Sequence, residues 1–315
     1  MDAVLQSERA QCPPPEWTDA GEFPGSDRRA FLLPLGYVAP DGRVHREVEL
    51  KPITGREQRL LAGLSPQAAM AAVTTALLSR RLERIGSLSR VGASLVRELL
   101  AGDREFLLLK LFEITFGGKL YVTLRCPAEA CSEPLEVPLE VGELTVEAPP
   151  LRSRTFFFKP QSDPERQMEF RLPTGGDQEA MVQRQDLTEE EQRELILAAC
   201  LQGQHRTDTA LEVIKRLSVS DREQIELQMK ALAPQLELKL EAICPECGAN
   251  FSAEVDLPFL VLAEMKAREA VLDWEVHFLA WHYHWSEAEI LALSPTRRRR
   301  YIELLEEELE KMGAS

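Results

Sequence analysis

The strongest constraint on this chain is that it repeats itself. Asp103, Arg104 and Glu105 recur as Asp221, Arg222 and Glu223, Cys126 recurs as Cys244, and Glu136-Val137 recur as Glu254-Val255, all at one offset of 118 residues. Separate landmarks that hold one spacing point to a duplicated unit, because unrelated segments have no reason to stay in register. Thr54 and Thr174 differ by 120, so a two-residue adjustment falls between landmarks. The competing reading is that similar helix openings and turn chemistry arose twice, Asp-Arg-Glu being an ordinary helix start.

Each copy runs through the same order of elements. From Phe31 to Leu50 two β-rich runs flank Pro40, Asp41 and Gly42, a turn signal that predicts a hairpin. Thr54-Gly55 predicts a strand-to-helix turn that uses glycine's conformational freedom. Met70, Val73, Leu77, Leu78, Leu82 and Ile85 fall at helical spacing, and a later helix is expected to start at Gly102-Asp103 with Asp103 as its N-cap. The segment "KLYVTLRCPAEACSEPLEVPLEV" then reads as strand, cysteine turn and strand. After Pro149-Pro150 the order begins again, with "TFFFKPQSDPERQMEFRLP" as the hairpin and Thr174-Gly175-Gly176 as the turn.

Beyond Leu260 the repeat stops and the chain reads as helical. Trp274, Phe278, Trp281 and Trp285 share one helical face, either as core or as a partner-binding stripe. Ser286 with Glu289 has the form of a capping box, and Ser294-Pro295 opens a last helix to about Met312. The expected fold class is α+β, with two homologous repeats and a helical C-terminal region. The boundaries are 1–29, a Pro-rich disordered tail; 30–148, repeat one; 149–260, repeat two; and 261–315, the helical region.

The cysteines carry the clearest chemistry. Cys126 and Cys131 enclose four residues, and Cys244 and Cys247 enclose two, the latter in "CPECG", which has the look of a zinc knuckle. Neither pair alone completes a tetrahedral four-ligand site, and no histidine lies near either turn in the sequence. Duplicated units commonly pack about a pseudo-twofold axis that brings equivalent turns together. One shared site with Cys126, Cys131, Cys244 and Cys247 is therefore the economical expectation, holding one structural zinc per chain. Partial metal binding and a redox pair are the alternatives, the latter without a thioredoxin-like βαβ context. Cys200 aligns with Leu82 and reads as a buried core thiol; Cys12 lies in the expected tail.

Charge and hydropathy narrow the function classes. A net charge of -15 disfavours nucleic acid as the main ligand, since phosphate binding needs a positive footprint. No apolar run approaches the roughly 20 residues of a membrane helix, and no signal segment opens the chain, which sets the expectation of a cytoplasmic protein with reduced thiols. A phosphate-binding glycine loop, a G-x-S-x-G elbow, H-E-x-x-H and a cysteine nucleophile with a histidine partner are all missing from the sequence. The expectation is thus a non-enzyme without a small-molecule substrate. His277, His282 and His284 read as rings packed at an apolar seam. Arg297, Arg298, Arg299 and Arg300 open the last helix while Glu306, Glu307, Glu308 and Glu310 crowd its end, an order that opposes the helix dipole.

The segments "GYVAPDGRVHREVELKPITGREQRLL", "GDREFLLLKLFEITFG", the two Cys-Pro turns and "HYHWSEAEILALSPTRRRRYIELL" together resemble the T-even-phage-type baseplate hub assembly chaperone family of contractile phage tails and injection systems. The likeness spans about residues 31–312. It implies a non-enzymatic assembly factor for the baseplate hub, acting in the producing bacterial cell or carried on the particle, with hub or spike proteins as partners. A permanent structural baseplate subunit and a zinc-ribbon nucleic-acid binder are the rival functions. The expected partner surface comprises Trp274, Trp281, His284, Trp285, Arg297, Arg298, Arg300 and Tyr301.

Overall fold

The computed structural model describes residues 28–313 apart from 63–65, 145, 147–154, 183, 185–186, 204–206, 235 and 237. Most of the expected tail, with Cys12, lies outside the described residues, as does the Pro149-Pro150 junction. The first hairpin pairs β1 (Arg29–Val38) with β2 (Val44–Leu50) antiparallel, and Gly42 at φ +83° closes the turn by donating to the Ala39 carbonyl at 2.9 Å. The register breaks between Leu32 and Tyr37, which leaves backbone groups of β1 without ladder partners. Arg46 takes up the carbonyls of Leu33 and Pro34, both at 2.9 Å, and Asp103 accepts from the amides of Leu35 at 2.8 Å and Gly36 at 2.7 Å.

Helices α1 (Gly55–Ala62) and α2 (Pro66–Arg81) follow. The apolar periodicity that predicts one helix through Ile85 is interrupted there: Leu82–Ile85 is a strand, β3, paired antiparallel with β2. Leu82 and Ile85 are buried, but as sheet residues, because an available edge of β2 outcompetes another helical turn. After α3 (Ala93–Glu98) comes α4 (Ala101–Phe116), whose Leu107, Leu108, Leu109, Leu111 and Phe112 are all buried. A helix buried on most of its sides belongs in the middle of a protein, and α4 is the central strut. Its N-cap position is Leu100, with no side-chain cap. Asp103, expected as the cap, sits one turn inside and spends its buried carboxylate on the β1 irregularity instead.

Two further strands, β4 (Lys119–Arg125) and β5 (Pro134–Glu140), form the first cysteine hairpin. The second half contains a hairpin of β6 (Thr155–Phe158) and β7 (Met168–Arg171), helices α5 (Gly175–Val182), α6 (Glu189–Cys200), α7 (Thr207–Lys215) and α8 (Val219–Leu232), and a hairpin of β8 (Leu238–Ile243) and β9 (Asn250–Val255). Asp221, in the first turn of α8, accepts from the Gln161 amide in the β6–β7 connection at 2.8 Å. Cys200 is fully buried, and Leu201 beside it bridges to Phe170 on β7, much as Leu82 pairs with β2.

Helix α9 (Leu257–Ala267) leads through a 3₁₀ turn into α10 (Leu272–Tyr283), α11 (Glu287–Leu291) and α12 (Pro295–Gly313). The Ser286–Glu289 capping box is present, with Glu289 N–H donating to Ser286 Oγ at 3.3 Å. The cores do not follow the sequence halves. The apolar faces of β8–β9 and residues Leu236, Val255, Leu257, Val261 and Met265 join the core built on β1–β3 and α4. Phe158, Phe170, Leu197, Ile214 and Ile225 form a second core with α6, α7 and α8, and Leu279, Ile290, Ile302 and Leu305 form a third. No helix among the described residues is long and apolar enough to cross a membrane.

Candidate metal centre

Because β8–β9 packs into the first core, the two cysteine turns arrive at one place. Each turn is built alike. The amide of the first cysteine donates across its hairpin, Cys126 to Glu133 at 3.0 Å and Cys244 to Ala249 at 2.9 Å. The residue after the second cysteine is left-handed in both, Ser132 at φ +52° and Gly248 at φ +73°. All four Sγ atoms lie within 4.8 Å of one another. Across the two turns, Cys126 and Cys247 approach to 3.5 Å and Cys131 and Cys244 to 3.7 Å. An exchange of halves that takes Cys126 to Cys244 and Cys131 to Cys247 converts one of these contacts into the other.

These separations exclude a disulfide, whose sulfurs sit about 2.05 Å apart. They match the edge of a tetrahedron with arms of about 2.3 Å, roughly 3.8 Å, so the donor set fits a four-thiolate metal ion. Backbone N–H groups of Cys247 and Glu246 hold the Cys244 thiol down to about 7. At Cys131 the Glu133 N–H pulls the same way, but desolvation and the neighbouring thiols outweigh it and push the group up to about 12. Four sulfurs this close cannot all ionise unless a cation shares the charge. With four protein ligands the site is closed, which suits bracing and leaves no position for a substrate. Among the described residues this is the one cluster with metal-ligand geometry; His277, His282 and His284 do not converge.

The two Thr-Gly turns have a different logic from the one expected. Thr54 and Thr174 each donate to the acid three residues on, Thr54 Oγ1 to Glu57 at 2.8 Å and Thr174 Oγ1 to Asp177 at 2.8 Å. Arg81 pairs with Glu57, and Arg171 holds Asp177 at 2.6 and 2.8 Å. Gly55 and Gly175 do not adopt positive φ. They are glycine because something lies against them: a Cβ at Gly55 would sit 2.7 Å from Leu291 Cδ2 and 3.1 Å from Arg298 Nη1, and one at Gly175 would sit 1.4 Å from Arg104 Nη1. Each turn is thus a socket for a buried arginine from elsewhere in the chain.

That socket corrects one expected contact residue. Arg298 is fully buried, donating to Glu275 at 2.7 Å, to the Leu293 carbonyl at 2.8 Å and to Gln58. It pins the C-terminal helices to α1, helped by Arg59 on Asp273 at 2.6 Å and Glu287 at 2.9 Å. The signal was available: Arg298, Ile302 and Leu305 share one face of α12, which placed Arg298 with the core. Trp285 and Tyr301 are half-buried and pack edge-on at 4.9 Å, with Tyr283 stacked on Trp285 at 4.7 Å. Of the expected surface, Trp274 (50 % exposed), Trp281 (71 % exposed), His284, Arg297 and Arg300 face outward.

A family model described as T4 bacteriophage base plate protein matches residues 37–262, most of the chain. The chain belongs to that family. The match takes in both cysteine hairpins, both Thr-Gly turns and α4, and stops within α9. Membership points this baseplate-family chain toward a phage baseplate-related role, in company with other baseplate proteins. No curated protein and no solved structure matches it.

Proposed function

We propose that this protein is a non-enzymatic assembly factor for the baseplate hub of a contractile phage tail or injection system, acting in the cytoplasm of the producing cell. The observation that carries the reading is the family match over residues 37–262, joined to a closed four-cysteine cluster of metal-ligand geometry. Two homologous repeats, 30–148 and 149–260, are braced by one shared zinc on Cys126, Cys131, Cys244 and Cys247, with a tail at 1–29 and a helical region at 261–315. Equivalent carboxylates Asp103 and Asp221 capping each half's first hairpin, and the interchange of the two short sulfur contacts, support the duplication. Thiolate ligands in a reduced compartment favour zinc.

The contact surface is the outer side of α10 with the start of α12. Trp274 and Trp281 are exposed one above the other, a costly arrangement in water, and exposed tryptophans are typical interface anchors. Hub or spike proteins are the partners this reading assigns to them. The deciding experiment compares the protein's abundance in assembling lysate with that in purified particles. An assembly factor is abundant in the first and depleted from the second; stoichiometric retention in the particle would make it a permanent subunit instead.

A further inference from the structure

The last two turns of α12 carry a feature that the fold does not use. Arg298, Ile302 and Leu305 form a buried seam on the side of α12 that packs against α10, spaced four and three residues apart. The same spacing continues to Leu309 and Met312, which are 38 % and 67 % exposed. Every residue from Glu306 to Met312 is exposed, so the helix extends about 11 Å past its buried seam. A seam of alternating four and three spacing is what a helix presents to another helix. Here its inner half is occupied within the chain, and among the described residues its outer half is exposed.

The charges say what kind of helix would fit. Glu306, Glu307, Glu308 and Glu310, against the single cation Lys311, surround the exposed seam, while Arg299 and Arg300 pair with Glu303 upstream of it. Glutamates at a helix C-terminus stand at the negative end of the dipole, and an exposed two-turn overhang is marginal in water. Both penalties are relieved by a cationic partner. Two copies meeting tip to tip would set glutamate against glutamate, so self-pairing is disfavoured.

We infer that the α12 overhang is a docking seam for a basic amphipathic helix of another protein, its apolar residues seated on Leu309 and Met312 and its lysines or arginines set against the surrounding glutamates. That the partner is a neighbouring baseplate protein rests on the function proposed above; the seam itself does not, and it shares no residue with the Trp274–Trp281 face. The test uses the full chain and a labelled helical lysine–leucine peptide with leucines at four–three spacing, followed by fluorescence anisotropy. Binding is expected, weakened by salt and lost with a glutamate-for-lysine peptide. The Leu309→Glu/Met312→Glu variant should bind about ten- to a hundred-fold more weakly, and a peptide with glutamine for leucine should show the same loss. Both substituted positions are exposed, so the variant's melting point and metal content should match wild type. Unchanged binding by the variant or by the glutamine peptide would reduce the contact to plain charge attraction and overturn the inference. A wild-type dimer in sedimentation that the double substitution abolishes would overturn it in favour of a second copy.

Discussion

Adjacent glycines in one turn provide a controlled test of why the Thr-Gly motif contains glycine. At Gly175 a methyl group would fall 1.4 Å from Arg104 Nη1, 2.3 Å from its Cζ and 2.7 Å from its Cδ, so the side chain of Arg104 must leave its place. That guanidinium is fully buried and donates to the Ala71 carbonyl at 2.7 Å and to Thr75 Oγ1 at 2.8 Å. Burial already brings its pKa down to about 10, so it remains charged at neutral pH. Hydrogen bonds of a charged group contribute about 1.5–3 kcal/mol each, so displacing both costs about 3–6 kcal/mol. One residue on, a methyl group at Gly176 meets nothing closer than 3.7 Å. Gly176→Ala should therefore be neutral or should stabilise the first turn of α5 by up to about 1 kcal/mol. In thermal or urea unfolding, Gly175→Ala should melt on the order of 10 °C below Gly176→Ala. Equal midpoints would refute the claim that space, and not backbone freedom, selects glycine here.

Three other outcomes follow from the geometry. Cys126→Ser and Cys244→Ser should each remove essentially the whole metal content by elemental analysis, because all four Sγ atoms lie within 4.8 Å, close enough to serve one ion; a variant retaining half the wild-type metal would mean a separate ion in each half. Ser132→Gly should raise the melting point by an amount equivalent to about 1 kcal/mol, since Ser132 holds φ +52° where its counterpart is Gly248. Burial opposes the charge on Asp177, but hydrogen bonds from Arg171 and Thr174 outweigh it and keep the carboxyl below its ordinary 3.8. The resulting stabilisation is fully present above about pH 4 and is lost as pH falls through the lower folded value. Asp177→Asn should thus destabilise at pH 7 in urea titrations, with the gap to wild type narrowing as pH falls below about 4.

Local chemistry was readable from residues alone: the Pro40–Gly42 and cysteine turns, the Ser286–Glu289 cap and the Pro295 helix start all depend on neighbours a few positions apart. So was the cysteine quartet, because Cys126 and Cys244 share the 118-residue spacing of the other landmarks and a two-ligand turn needs a partner. What the chain by itself left undecided was every choice between alternatives of similar local cost. Leu82–Ile85 has a helical pattern yet lies beside an open edge of β2. Asp103 suits a cap yet accepts from two backbone amides 67 and 68 residues away. Arg298 is one arginine in a run of four until Glu275, Leu293 and Gln58 converge on it. Packing also assigned β8–β9 to the first core, which is what carries Cys244 and Cys247 to Cys126 and Cys131. Residues determined which ligands exist; tertiary structure decided that they meet, because burying the apolar faces of both cysteine hairpins in one core is what brings the turns together.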